Sequence, residues 1–313
     1  MRVVVVGSFN VDHVWSLPRH PRTGETLAGR YASGPGGKGF NQATAAARAG
    51  AATSFICALG ADEGGNLARR LAEEDGIALH AATSRQPTGT AGIYVDADGN
   101  NTIAFGAGAN ADLDAAFVTT HAPAISSAGV VLAQMESPPG AVLAAFSLAR
   151  AAGVLTLLNP APVDAGVDPE LLRLADVLTP NESEFSAQLL RHSGHALDAG
   201  AVAGTGDDAL HRLCRDLMPH GSVVVTLGAA GCFVSHPEDA RRGDRRACYR
   251  VPATPANAVD TTGAGDAFNG ALAASLARGT GNFESHVAFA GRYAAASTER
   301  HGAASSMPHL RPE

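Results

Sequence analysis

The sequence predicts an α/β protein: a central, mostly parallel sheet sandwiched by helices, interrupted near its N-terminus by a small separate β-sheet. Three observations lead there. Val3 to Val6 is a continuous β-branched run closed by Gly7, as expected of a strand buried on both faces. From about residue 129 onward, strand-like and helix-like stretches alternate, the pattern of βαβ units and a parallel sheet. Between these regions, Ile93 to Val95 and Thr102 to Phe105 flank Asp98-Gly99-Asn100, which predicts a hairpin.

The elements follow in order. After the first strand, Asp12 to Leu17 and Thr26 to Tyr31 read as short half-exposed strands around a turn region with Pro18, Pro21 and Gly24. Asn41 to Ala49 reads as a helix stopped by Gly50. Segments 12–31 and 89–106 together would build the small sheet. In the alternating region, strands are expected at Val130 to Met135, Val154 to Leu158, Asp176 to Thr179 and Ser222 to Leu227. Helices are expected at Ala141 to Ala152, Asp168 to Leu174, Glu184 to Leu190 and Asp207 to Leu217. Gly194 to Gly206 and the Arg-rich Glu238 to Arg246 read as exposed excursions. Near the C-terminus Phe268, Ala271, Leu272, Ser275 and Leu276 fall on one helical face, and Gly279 ends that helix.

Composition narrows the function. The 313 residues are long enough for a sizeable core. A net charge of −7 disfavours a nucleic-acid partner. The apolar run at the N-terminus is too short for a signal peptide or a membrane span. Cys57, Cys214, Cys232 and Cys248 form no C-x-x-C pair, which argues for a reducing, cytoplasmic setting. The 12 histidines show no H-x-H or H-E-x-x-H spacing, so a protein-held metal is not indicated. No G-x-S-x-G elbow anchors a nucleophile. Trp15, the only tryptophan, is expected to pack in the small sheet. Of 23 basic residues only Lys38 is a lysine, and it lies in a dense run of glycines.

Two strings carry the chemistry. Asp260-Thr261-Thr262-Gly263-Ala264-Gly265-Asp266 is a glycine turn opening into a helix. Such a turn exposes unpaired N–H groups at the positive end of the helix dipole, a site for negative charge on a phosphoryl group. A carboxylate there, Asp266, can accept the proton of an attacking hydroxyl while the N–H groups hold phosphoryl oxygens. Gly34-Pro35-Gly36-Gly37-Lys38-Gly39-Phe40-Asn41-Gln42 is a second glycine turn before a helix. It is neither a Walker A loop nor a G-x-G-x-x-G fingerprint. Lys38 and Asn41 offer directional donors to a polyhydroxy ligand.

Four strand ends complete the set, because ligands of open α/β sheets bind beyond the carboxyl ends of strands. Gly7-Ser8-Phe9-Asn10-Val11-Asp12 places Asn10 and Asp12 on one side of a strand. Gln134-Met135-Glu136 closes a second strand. Thr179 to Glu184 closes a third, with Asn181 and Glu184 able to reach a magnesium-bound phosphate through water. Thr226-Leu227-Gly228-Ala229-Ala230-Gly231 closes a fourth as a backbone-rich turn suited to a nucleotide.

These motifs resemble the PfkB family of sugar kinases, and within it the ribokinases, from Gly7-Ser8-Phe9-Asn10 to Gly302-Ala303-Ala304-Ser305-Ser306-Met307-Pro308. The resemblance implies one ribokinase-like domain over 1–313, with the small sheet serving as a lid and often as a dimer contact. It implies ATP-dependent phosphorylation of a sugar's primary hydroxyl, the 5-hydroxyl of D-ribose first. By resemblance Asp266 is the catalytic base, and Gly263, Ala264 and Gly265 form the anion hole. Asn10, Asp12, Gly37, Lys38, Asn41 and Glu136 match sugar positions. Asn181, Glu184, Thr226, Gly228, Gly231 and Gly265 match the ATP and Mg²⁺ side. Asp260, Thr262, Ser297, Arg300, Gly302 and Ser306 match a site for an activating K⁺.

The sequence departs from the ribokinase pattern at Phe40, where Ala is common, and at Phe105, often Ile. Both rings are expected near the sugar, where a few carbons change discrimination by about 1–3 kcal/mol. Deoxyribose, another pentose, fructose or a nucleoside therefore stand as alternative acceptors, and a non-catalytic sugar sensor as a more distant one. Partners beyond sugar, ATP and a second copy of the chain are not expected.

Overall fold

The computed structural model describes residues 2–310. Strand β1 (Arg2–Val6) is followed by β2 (Asn10–Ser16), β3 (Arg30–Gly36) and the helix Lys38–Arg48. Then come β4 (Ala52–Gly60), the helix Glu63–Glu74, β5 (Ala78–Ser84), β6 (Gly89–Val95) and β7 (Asn101–Gly106). The alternating half holds β8 (Val130–Ala133), β9 (Leu155–Leu158), β10 (Val177–Leu178) and β11 (Ser222–Thr226). Helices Pro139–Ala151, Pro169–Leu174, Glu182–Ser193 and Asp207–Leu217 run between them. The chain closes with β12 (Cys232–Ser235), β13 (Cys248–Val251) and the helices Ala264–Arg278 and Phe283–Ser297.

Nine strands form one sheet in the order β13-β12-β11-β10-β9-β8-β1-β4-β5. Every pair from β5 to β11 is parallel, and only β12 and β13 run antiparallel to their neighbours. Helices cover both faces, so successive residues of β1 enter different cores. Val3 and Val5 pack with Phe9, Phe40 and Phe55 on one face. Val4 and Val6 pack with Ile56, Phe146 and Phe185 on the other. That two-sided burial is why β1 reads as an unbroken apolar run.

The second sheet has four strands in the order β3-β2-β6-β7. It is the small sheet expected from sequence, with Trp15 stacked on Tyr94 at 5.3 Å and against Tyr31 at 5.2 Å. Its second strand is displaced from the expected Thr26 to Tyr31: β3 runs from Arg30 to Gly36 and pairs along all of β2, Asn10 opposite Gly36 and Ser16 opposite Arg30. Residues through Gly29 connect the two strands, and the first three residues of the glycine motif, Gly34 to Gly36, are themselves strand.

Other expectations shift for physical reasons. Strands β4, β5, β12 and β13 and the helices Glu63–Glu74 and Phe283–Ser297 lie outside the expected elements, the strands because their apolar residues show no clear period. The helix Ala264–Arg278 is not a surface helix with one apolar stripe: Asp266 to Ser275 are buried throughout. It lies between the helices Lys38–Arg48 and Phe283–Ser297, and small residues all round let both approach. Phe40 is no pocket ring. It is 1% exposed and packs edge-on against Phe9 at 5.0 Å. The segment Glu238 to Arg246 is not simply solvated: Asp244 is buried, accepts from Tyr249 Oη and the Glu284 N–H, and lies 3.0 Å from His236 Nε2.

Candidate active site

The central carboxylate is Asp266, in the first turn of the helix Ala264–Arg278 and 6% exposed. Its position depends on Gly270, one turn further on. A Cβ there would stand 2.4 Å from the Gln42 carbonyl oxygen and 2.5 Å from Ala45 Cβ, so only glycine lets this helix lie against Lys38–Arg48. The contact delivers Asn41 and Gln42 to the carboxylate. Asn41 Nδ2 donates to Asp266 Oδ2 at 2.9 Å, and Gln42 Nε2 donates to Oδ1 at 2.9 Å. The Asn41 Oδ1 is buried with no partner, an acceptor available to a ligand hydroxyl.

Gly263 caps this helix in the left-handed region at φ 75°. Of the expected anion-hole N–H groups, that of Ala264 donates to the Thr261 carbonyl at 3.1 Å. Among the described residues, the N–H groups of Gly263, Gly265 and Asp266 have no hydrogen-bond partner. First-turn N–H groups left open at a helix N-terminus favour bound anions.

On one side of Asp266 a group of polar side chains gathers at the small sheet. Asn10 and Asp12 lie two residues apart on one face of β2, with Glu136 and Asp266 close enough for their charges to act on Asp12. Asn10 Oδ1 accepts from Asn110 Nδ2 at 2.8 Å. Glu136 accepts from Ser8 Oγ at 2.6 Å and from the Lys38 N–H at 2.9 Å. Gly37, with φ 86°, ends the strand and caps the helix that carries Lys38 and Asn41. Phe105 is half exposed on β7, in register with Ala91, which is in register with Asp12. Of the two expected pocket rings, it alone stays on this side.

Burial, then the negative charges of Glu136 and Asp266, push the Asp12 carboxyl up to about 7. Its proton is therefore retained in the folded apo protein at pH values where an unfolded chain has lost it. This contributes stability at low pH that is lost as pH rises from about 4 to about 7. We expect the apo protein to melt lower at pH 8 than at pH 5.5 and Asp12→Asn to flatten that dependence. If sugar hydroxyls donate to the ionised carboxylate, kcat/KM for sugar rises through pH 7 in the native enzyme and not in the variant. Initial rates across that range check it.

On the other side of Asp266 lies a smaller cavity of about 180 Å³, lined by Lys38, Asn181, Glu184, Gly263, Gly265 and Asp266 among others. Lys38, expected from sequence at the sugar, lines this cavity with its side chain. Burial works to lower the Lys38 ammonium pKa, but the Asp266, Glu136 and Glu184 carboxylates outweigh it and hold it above its ordinary value. The amine is thus charged. Asn181 and Glu184 form a capping box: the Asn181 N–H donates to Glu184 Oε2 at 2.9 Å, and the Glu184 N–H to Asn181 Oδ1 at 2.8 Å. The box fixes both residues at the mouth of the cavity. Burial raises the Glu184 pKa, offset in part by the Asn181 N–H and Lys38.

This cavity shares Thr226, Thr261, Ala264 and Gly265 with a larger one of about 560 Å³. The larger cavity is lined by Gly228, Gly231, Phe268 and Val287, among others, with no charged side chain, as suits an aromatic base. Gly291 lines it, and a Cβ there would meet nothing within 4 Å. We expect Gly291→Leu to fill that space and raise KM for the nucleotide about tenfold or more, for steric overlap of 1–3 kcal/mol. Sugar affinity, measured by calorimetry, stays unchanged.

Asp260 sits behind the glycine turn. Its Oδ1 accepts from the Thr262 N–H and its Oδ2 from the Gly302 N–H, both at 2.9 Å. These bonds hold its carboxyl below the usual range although burial acts the other way. Among the described residues, the carbonyls of Ser297, Arg300, Gly302 and Ser306 accept no hydrogen bond. Free carbonyl oxygens near a carboxylate fit a hard monovalent cation.

Sequence reading did not assign Gln42, Asn110, Asn159 or Asn269 a role. Gln42 lies inside the glycine motif and Asn159 follows β9, so motif membership and the strand-end rule could have flagged them. Nothing in the sequence marks Asn110, which reaches Asn10 from a 3₁₀ turn a hundred residues away.

Comparison with known proteins identifies the family. Residues 1–310 match the family model described as pfkB family carbohydrate kinase. The chain is 37% identical over 309 residues to ribokinase of Haemophilus influenzae, covering 98% of this chain and 95% of that one. It is 37% identical over 313 residues to the bifunctional ribokinase/ribose-5-phosphate isomerase A of Fructilactobacillus sanfranciscensis, spanning 98% of this chain and 54% of that protein. The structure of Arabidopsis thaliana ribokinase complexed with ribose and ATP matches with a TM-score of 0.83 at 30% identity, over 98% of this chain and 95% of that one.

Proposed function

This chain belongs to the pfkB family of carbohydrate kinases, and we propose that it transfers the γ-phosphoryl group of ATP to the 5-hydroxyl of D-ribose. The observation that carries the proposal is the placement of Asp266. Its carboxylate lies between the polar side chains of Asn10, Asp12, Asn41 and Glu136 and an anion site at the open N–H groups of one helix.

In this reading the sugar lies under the small sheet, its secondary hydroxyls on Asn10, Asp12 and Glu136. The 5-hydroxyl faces Asp266. As its oxygen bonds to the γ-phosphorus, its proton passes to the Asp266 carboxylate, and the bond from phosphorus to the β,γ-bridging oxygen breaks to release ADP. The N–H groups of Gly263 and Gly265 and the Lys38 ammonium take up charge on the moving phosphoryl group. The base lies in the larger cavity against Gly228, Gly231 and Phe268, with Thr226 and Gly265 nearer the phosphates.

Asn181 and Glu184 fit a magnesium held through water, which would neutralise phosphate charge. Asp260, with Thr262 and the free carbonyls of Ser297, Arg300, Gly302 and Ser306, fits potassium, which would order the glycine turn. The small sheet acts as a lid that excludes water, a competing acceptor. Tyr31, Ile103 and Phe105 leave apolar surface on it, which favours a homodimer through this sheet; light scattering would report it. Among the described residues, no helix is long and apolar enough to cross a membrane, and we place the enzyme in the cytoplasm.

The test is ADP release with Mg-ATP against ribose, deoxyribose, fructose and nucleosides, in potassium and in sodium. We expect ribose to be preferred and potassium to raise its rate. Preference for another acceptor would overturn ribose and move attention to Phe105, the ring in register with the Asp12 side of the sheet.

A further inference from the structure

Behind Asp266 runs a buried chain of side-chain amides that meets the smaller cavity only at its Asn159–Thr179 end, while Gln42 and Gln134 line neither cavity. Gln42 Nε2, besides donating to Asp266 Oδ1, donates to Asn159 Oδ1 at 3.1 Å. Gln134 Nε2 donates to Gln42 Oε1 at 2.6 Å. Asn159 Nδ2 donates to the Thr179 carbonyl at 3.0 Å. Gln42 and Gln134 are fully buried, and Asn159 nearly so. Gln134, Asn159 and Thr179 each follow the carboxyl end of a strand, β8, β9 and β10, which are neighbours in the sheet.

The chain has one consistent polarity. An ionised carboxylate only accepts, so the nitrogen end of Gln42 must face Asp266. Its oxygen then faces Gln134, which must present its own nitrogen. Rotating either amide by 180° sets oxygen against oxygen. Each amide is thereby locked by the next, and the last is anchored to the sheet. Gln42 engages one carboxylate oxygen and Asn41 the other, which fixes the plane of the group and leaves one lone pair on each oxygen for the substrate. Of the polar atoms of Gln42, Gln134 and Asn159, only Gln134 Oε1 lacks a partner, and buried polar networks paired to this extent rigidify what they hold. Asn41 can exchange its bond for one to sugar through its unpartnered Oδ1; Gln42 has no such freedom.

We propose that Gln42 is a positioning residue for the proton-accepting carboxylate, and that Gln134 acts through it by fixing the orientation of its amide. The proposal rests on Asp266 being the base. It separates two adjacent residues of one motif: Asn41 serves substrate and base together, Gln42 the base alone.

The test compares Gln42→Met, Gln134→Met, the double variant and Asp266→Asn in single-turnover phosphoryl transfer, with ribose affinity and melting temperature measured on each. A misplacement of about 1 Å at a reacting group lowers rate by on the order of 10²-fold. We expect Gln42→Met to slow transfer by about that factor while ribose affinity stays within about threefold, a split a merely structural role does not produce. Gln134→Met, which lets the Gln42 amide turn over, slows it less. The double variant is no slower than Gln42→Met, because Gln134 has no other route to the carboxylate. Should Gln42→Met fail to fold, the loss of rate in folded Gln134→Met carries the test. Native transfer rates in folded variants, or losses that multiply in the double variant, would overturn the inference. Loss in Asp266→Asn with none in the Gln variants refutes the positioning role alone; full activity in Asp266→Asn refutes the base assignment beneath it.

Discussion

Replacing Asp266 with Asn is expected to lower kcat by about 10³-fold, within the 10²–10⁴-fold range typical of a general base, while ribose still binds. The substitution keeps size and shape but removes the only group at the helix N-terminus that can take a proton. In the proposed binding mode the sugar hydroxyls are held from other elements, by Asn10 and Asp12 on β2 and by Glu136 after β8. A second consequence follows from charge. Asp266 is one of the two carboxylates that push Asp12 up to about 7, so neutralising it moves the Asp12 titration down towards the usual carboxylate range. Steady-state rates, calorimetry with ribose and a pH titration would read all three effects. Near-native turnover would remove Asp266 from the mechanism.

The second large effect is expected at Gly263. At φ 75° a side chain is strained by about 1–2 kcal/mol. A Cβ would also stand 2.9 Å from Ala303 Cβ. Gly263→Val therefore displaces the turn that opens the helix. Loss of one aligned oxyanion donor lowers kcat by about 10²–10³-fold, and that is the loss we expect. Ribose affinity is retained, because no sugar residue lies on this turn. Loss of ribose binding, or native kcat in a folded protein, would contradict the assignment of the turn to the phosphoryl group.

Much of this site was legible in the sequence because its residues lie in contiguous strings at strand ends and helix starts. Asp260 to Asp266 encodes turn, cap and carboxylate together, and Gly34 to Gln42 encodes the end of one strand and the start of one helix. The nine-stranded sheet was legible where apolar runs alternate with helical periods, as from Val130 to Thr226. It was illegible at β4 and β5, where both are buried or half-buried and no polar alternation marks them.

What sequence could not reach was contact between distant segments. Phe40 looks like a pocket ring because it stands between Lys38 and Asn41. In three dimensions the helix turns it a third of the way round, into the core with Phe9 and Phe55. Asn110 and Asn159 matter only because the fold carries them to Asn10 and Gln42. The double duty of Asn181 and Glu184, as a capping box and as the wall of the phosphate cavity, is invisible until the cavity is seen.

The most direct test of the account is the identity of the product. The enzyme would be incubated with Mg-ATP, potassium and ribose carrying ¹³C at C5, and the phosphorylated sugar examined by ³¹P and ¹³C NMR. The account predicts one ADP per sugar phosphate and phosphorus coupled to C5. Phosphate on any other carbon, or ADP formed without a sugar phosphate, would contradict it.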